Sequence, residues 1–200
     1  MLVQAPAIKT VSHNTNVNFM DNIGHYLVVD LEATCSNDGS IPRDKMETIE
    51  IGAVMVEAES LQPVDEFQSF IRPVRYRQLS DFCRELTSIA QQEVDAAEGF
   101  CQVFSRFVQW SVGFADPLFC SWGDYDRHQL RQDCAHHGTA YPFGDEHLNL
   151  KAQFSKNLGI RKRLGMAKAI RRVGLELTGT HHRGIDDARN IARLLPHIVR

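Results

Sequence analysis

Asp30 and Glu32 stand two residues apart at the end of an apolar run, Tyr26 to Leu31. A strand alternates its side chains, so both carboxylates face the same side of a sheet, where they repel each other. Burying an unpaired carboxylate is costly, and on such a strand the two charges call for cations or water to neutralise them. Taken alone, D-x-E more often marks an exposed strand end. Two further acids lie in register with apolar stripes: Asp126 with Leu130 and Cys134, and Asp187 with Ile191, Leu194 and Ile198. The register turns each towards a core rather than towards solvent. Asp187 falls in the first turn of a predicted helix, where the helix dipole favours a negative charge and where an Asp can also be a simple cap. His182 precedes Asp187 by five residues, in the loop entering that helix. An imidazole titrating near neutral pH beside carboxylates is what general-base catalysis requires. His181 is its rival, and only the five-residue spacing favours His182.

Three strands are expected to carry the first pair: Tyr26 to Leu31, the alternating Thr48 to Val56, and Glu66 to Ile71. Helical spacing follows, with Leu86, Ile89, Ala90 and Val94 on one stripe and Phe100, Val103, Phe104, Phe107 and Val108 on the next. Pro117 to Cys120 reads as a short buried strand, Tyr125 to His136 as a helix, and Leu148 to Leu150 as a short segment. Two more helices are predicted near Ala167 to Val173 and Asp186 to Leu195, with Pro196 ending or kinking the last. Residues 1 to 20 lack periodicity and are expected to be a flexible tail before a domain over 21 to 200, with Met20 a possible alternative start. The natural packing is an α/β domain, a mixed sheet flanked by helices.

The chain has 200 residues and a net charge of -3, which argues against nonspecific coating of nucleic acid, since Lys and Arg dominate such binding. An enzyme is not excluded, because a carboxylate site is negative until divalent cations fill it. No apolar run approaches the roughly 20 residues that span a bilayer, and the N-terminus lacks the order of a signal peptide. Five scattered cysteines, Cys35, Cys83, Cys101, Cys120 and Cys134, form no C-x-x-C pair and suit a reducing, cytoplasmic location.

Together these pieces resemble the DEDDh exonucleases of the DnaQ-like superfamily, whose motifs are D-x-E, a mid-chain Asp and H-x-x-x-x-D. The strings Val28 to Cys35, Leu79 to Cys83, Ser121 to Asp126 and Gly184 to Ala192 are similar to the branch of histone-mRNA and small-RNA-trimming exonucleases and KapD-type proteins. The resemblance runs from about Tyr26 to the C-terminus. It implies a ribonuclease-H-like five-stranded fold and two Mg²⁺ or Mn²⁺ ions held by Asp30, Glu32, Asp126 and Asp187, with His182 deprotonating the attacking water. Asp124 is the fallback for Asp126. It further implies that Phe82 and Tyr125 grip the terminal base and that Ala33 and Thr34 approach the terminal sugar through their backbone. The partner implied is a single-stranded RNA or DNA 3′ end, RNA being favoured by the branch, and the product a nucleoside 5′-monophosphate. Arg72, Arg75 and Arg77, or Arg161, Lys162, Arg163, Lys168, Arg171 and Arg172, are candidate paths for the upstream strand, although a charge run is usually a solvated face. The competing readings are a DNA-trimming or proofreading exonuclease and a nucleic-acid-binding module that has lost catalysis.

Overall fold

The computed structural model describes residues 23–199, so the expected tail over 1–20 and the alternative start at Met20 lie outside the described residues. Five strands, β1 (His25–Ala33), β2 (Thr48–Glu57), β3 (Pro63–Phe70), β4 (Pro117–Ser121) and β5 (Leu148–Asn149), form one sheet in the order β3-β2-β1-β4-β5. β1 and β2 pair antiparallel, as do β2 and β3, while β4 and β5 run parallel to β1. This is the mixed, helix-flanked sheet expected from the sequence. Among the described residues seven α-helices accompany it: α1 (Asp81–Thr87), α2 (Gln91–Ala96), α3 (Phe100–Ser111), α4 (Tyr125–His137), α5 (Leu150–Asn157), α6 (Met166–Arg172) and α7 (Gly184–Ala192). No helix among the described residues is long and apolar enough to cross a membrane.

The alternation of β1 sorts its side chains into two cores. Leu27, Val29 and Leu31 pack with Ile51, Ala53 and Met55 under α3 and α4, against Phe104, Phe107 and Leu130. Tyr26 and Val28 pack on the opposite face with Val54 and Val56 under α6 and α7, against Ile170, Ala188 and Ile191. Each large apolar side chain so buried contributes about 1.5–3 kcal/mol. Asp30 and Glu32 continue the second set, so the period that builds the core also delivers both carboxylates beneath α7.

α7 lies against the sheet with unusual closeness. A Cβ on Gly52 would come within 2.0 Å of the Gly184 carbonyl carbon, and one on Gly184 within 3.0 Å of the Asp30 carbonyl oxygen. Only a pair of glycines lets the two backbones meet there.

Three segments depart from the sequence reading. The stripe Leu86, Ile89, Ala90 and Val94 is not one helix: Ser88, in the left-handed region at φ 57°, caps α1 by donating its N–H to the Arg84 carbonyl, and α2 starts afresh. α5 extends beyond the short segment expected at Leu148 to Leu150, its first turn capped by Asn149, whose side-chain oxygen accepts from the Ala152 N–H at 2.9 Å. The last helix begins at Gly184 and ends at Ala192, and Pro196 falls in a separate 3-10 turn, Leu195–His197.

Candidate active site

The C-terminal half of β1 and the first turn of α7 bring three carboxylates together. One oxygen from each of Asp30, Glu32 and Asp187 lies within 4.8 Å of the others. Asp126, in the first turn of α4, joins them in a cleft of about 420 Å³, and its Oδ1 accepts from the Leu31 backbone N–H at 3.1 Å. A second peg holds α4 to the sheet, the Asp133 carboxylate accepting from Thr48 Oγ1 at 2.6 Å and from Thr48 N–H at 3.2 Å. Asp124, the fallback, faces elsewhere: it is partly exposed, accepts from Asn149 Nδ2 at 2.9 Å and lies 3.6 Å from His147 Nδ1.

Burial is the main electrostatic fact of the cleft. It pushes the Asp30 carboxyl well above its ordinary range, with Asp126, Glu32, Asp187 and Glu50 adding repulsion. Glu32 is pushed up to about 9, first by burial and then by Asp187 and Glu50. Asp126 rises only to about 6, because burial is opposed by hydrogen bonds from the backbone of Leu31 and the side chain of Ser121. A set of hard oxygen donors that cannot all ionise together fits divalent cations.

A stability signature follows with a definite sign. Between its ordinary value of 4.5 and about 9, the folded chain keeps a proton on Glu32 that the unfolded chain has released. Asp126 does the same between 3.8 and about 6. Stability of the metal-free protein therefore falls as pH rises through these windows. Thermal melts in EDTA should show Tm decreasing from pH 5 to pH 9, and added Mg²⁺ should raise Tm more at pH 8 than at pH 5. A metal-free Tm that rises over that range would mean that the carboxylates are ionised and satisfied without cations.

The two histidines divide the contacts to Asp187. His181 Nδ1 lies 2.9 and 3.1 Å from its two carboxylate oxygens, whereas His182 donates its backbone N–H to Oδ2 at 3.1 Å. Their rings stack with centroids 4.0 Å apart, and both residues line the cleft. His182 has φ 64°, in the left-handed region. Burial and the neighbouring His181 lower its pKa from the ordinary value, against the pull of Asp187.

The residues expected to touch substrate are only partly brought together. Ala33 and Tyr125 line the cleft, and the Arg43 guanidinium stands 5.3 Å over the Tyr125 ring. Thr34 is buried beside the cleft, its N–H donated to the Glu47 carbonyl and its hydroxyl accepting from the Glu47 N–H. Phe82 packs with the small core around Cys83 and Ile89, and Leu86, one turn further along α1, lines the cleft in its place. Met46, Trp122 and Met166 complete the apolar wall; Trp122 falls in the string Ser121 to Asp126, whereas no motif contains Met46 or Met166. Of the two basic clusters, Arg161, Lys162 and Arg163 directly precede the loop that supplies Gly165 and Met166 to that wall, pinned where Trp122 Nε1 donates to the Leu164 carbonyl at 3.1 Å. Glu50 carries a sequence signal of its own, a charged residue between Ile49 and Ile51 in a core strand.

Known proteins share this fold. The model of the exonuclease family RNase_T matches residues 27–195. Human ERI1 exoribonuclease 2 is 30% identical over 218 residues, covering 98% of this chain and 31% of that protein. Human 3'-5' exoribonuclease 1 is 31% identical over 193 residues, covering 92% of this chain and 55% of that protein. The chain thus spans between about a third and about half of the length of these curated relatives. The solved nuclease domain of 3'hExo, described as a DEDDh family member bound to rAMP, superposes with a TM-score of 0.81 at 29% identity, covering 88% of this chain and 91% of that one. Cell-death related nuclease 4 has the same fold, with a TM-score of 0.80 at 22% identity. With the family model matched from the first core strand to the last helix, the chain belongs to the RNase_T exonuclease family, in its DEDDh group.

Proposed function

We propose that this chain is a metal-dependent 3′→5′ exonuclease that removes nucleoside 5′-monophosphates from single-stranded RNA. The observation that carries the reading is the convergence of Asp30, Glu32, Asp126 and Asp187 in one cleft with a histidine pair at the same wall. The four carboxylates would hold two Mg²⁺ or Mn²⁺ ions, which when bound stabilise the attacking and leaving oxygens of an in-line displacement. His182, kept neutral by its surroundings, accepts the proton of the attacking water. Leu86, Met46 and Tyr125 present apolar faces to a terminal nucleoside, and the Arg161 to Arg163 segment carries phosphates of the upstream strand. The preference for RNA rests on the exoribonucleases among the relatives and on the similar nuclease domain of 3'hExo, which was solved bound to rAMP. Five free thiols, four of them buried, suit a reducing compartment such as the cytoplasm.

Digestion of matched 5′-labelled RNA and DNA strands with Mg²⁺ or Mn²⁺ tests the proposal. The expected result is a ladder shortening from the 3′ end, faster on RNA and abolished by EDTA. Faster loss of DNA would reassign the substrate, and no cleavage with either metal would leave a nucleic-acid-binding module.

A further inference from the structure

Glu50 is fully buried yet does not line the cleft. It stands opposite Glu32 in the β1–β2 register, on the face covered by α7. Three donors converge on its carboxylate. Oε2 accepts from the Gly184 N–H at 3.1 Å and from Arg183 Nε at 3.2 Å, and Oε1 accepts from Gln68 Nε2 at 3.0 Å. Arg183 is held on its other side as well, its guanidinium 5.1 Å over the Phe70 ring.

An apolar residue is the less costly occupant of a core strand, and a buried ion pair is weak evidence for stability. What this pair fixes is more specific. Arg183 sits between His182 and Gly184, so the carboxylate of Glu50 grips the chain where the histidine loop becomes α7. Upstream, the same loop is tied to α7 itself: Asn190 Nδ2 donates to the Thr178 carbonyl at 2.7 Å, and the Asp186 carboxylate accepts from the Thr180 N–H at 2.8 Å. Those ties fix the loop to its helix. Glu50 fixes both to the sheet that carries Asp30 and Glu32. His182, in a left-handed conformation that favours glycine, needs such restraint to keep its place.

We propose that Glu50 and Arg183 are a pair of positioning residues that hold the His182 loop and the Asp187 end of α7 in register with the β1 carboxylates. The proposal rests on the exonuclease reading. Neither residue touches the reacting atoms.

The test uses Glu50→Gln, which keeps the volume and an acceptor for Gly184, together with Arg183→Gln and the double variant. Each single variant should lower kcat on RNA by about 10² with KM unchanged, the penalty expected of a catalytic group displaced by about 1 Å. The double should fall no further than the worse single, because the two act as one unit. Amide hydrogen exchange of the metal-free proteins gives a second readout, faster at residues 178–187 in each variant and unchanged in β4. Unchanged kcat, additive losses, or exchange that is unaltered or accelerates uniformly would each overturn the proposal. A wild-type chain that cleaves nothing would instead sink the exonuclease reading, and exchange at 178–187 would still decide whether Glu50 holds the loop.

Discussion

Replacing Asp30 by Asn is expected to lower kcat at least about 10³-fold and, in the same protein, to raise the metal-free Tm above pH 7. The two effects have one origin. Asp30 is pushed well above the ordinary carboxylate range by burial and then by four neighbouring acids, so in the absence of cations its charge opposes folding. An amide of the same shape removes that charge and leaves the packing of β1 intact. Tm should rise by about 2–4 °C for each kcal/mol relieved in a chain of this size. The same substitution removes an anionic oxygen from the set that gathers with Glu32 and Asp187, and with it cation binding that would neutralise the reacting phosphate. The increase in Tm on adding Mg²⁺ should therefore shrink as activity disappears. Paired melts with and without Mg²⁺, read beside kcat on labelled RNA, check this. A variant that is inactive yet less stable without metal would mark Asp30 as a structural residue.

The part of this site visible in the sequence is the part written in periodicities. A period of two in β1 places Asp30 and Glu32 with Tyr26 and Val28, and four-residue steps bury Asp126 with Leu130 and Asp187 with Ile191. These are local consequences of strand and helix geometry, which adjacent residues are enough to express. What was not visible depends on partners far along the chain. Glu50 meets Arg183 and Gly184 across more than a hundred residues, and spacing does not encode that His181 meets the Asp187 carboxylate through its ring while His182 meets it through its backbone N–H. Phe82 and Leu86 share one face of α1 and both pack on the third core, and only their position along the helix decides that Leu86 reaches the cleft. Two departures are local. Leu86 to Val94 keeps helical spacing across a left-handed cap at Ser88, and α5 has a local signal, because Asn149 followed by Leu150 and Phe154 is a capped apolar stripe.

Gly52→Ala should be more damaging than its single added carbon suggests. The new Cβ would meet the Gly184 carbonyl carbon at 2.0 Å and the Ile185 nitrogen at 2.1 Å, and both are backbone atoms that no rotamer change can move aside. α7 must lift from β2 or tilt. Overpacking of a core costs about 1–3 kcal/mol, and a Tm loss of at least about 4 °C is expected. The lift acts on chemistry too, since Asp187 rides on α7 while Asp30, paired with Gly52, stays with the sheet. A displacement of about 1 Å between them is enough to cost about 10² in kcat. Gly99→Ala provides the comparison: there a Cβ would meet only the end of the Gln102 side chain, at 3.2 Å, and Gly99 does not line the cleft, so activity should be retained. If Gly52→Ala lost stability but kept wild-type kcat at a temperature where it remains folded, the carboxylates would tolerate a looser helix than this geometry implies. Loss of kcat in the folded variant, with metal affinity weakened in parallel, would show that the fit of two glycines sets the distance between the two halves of the site.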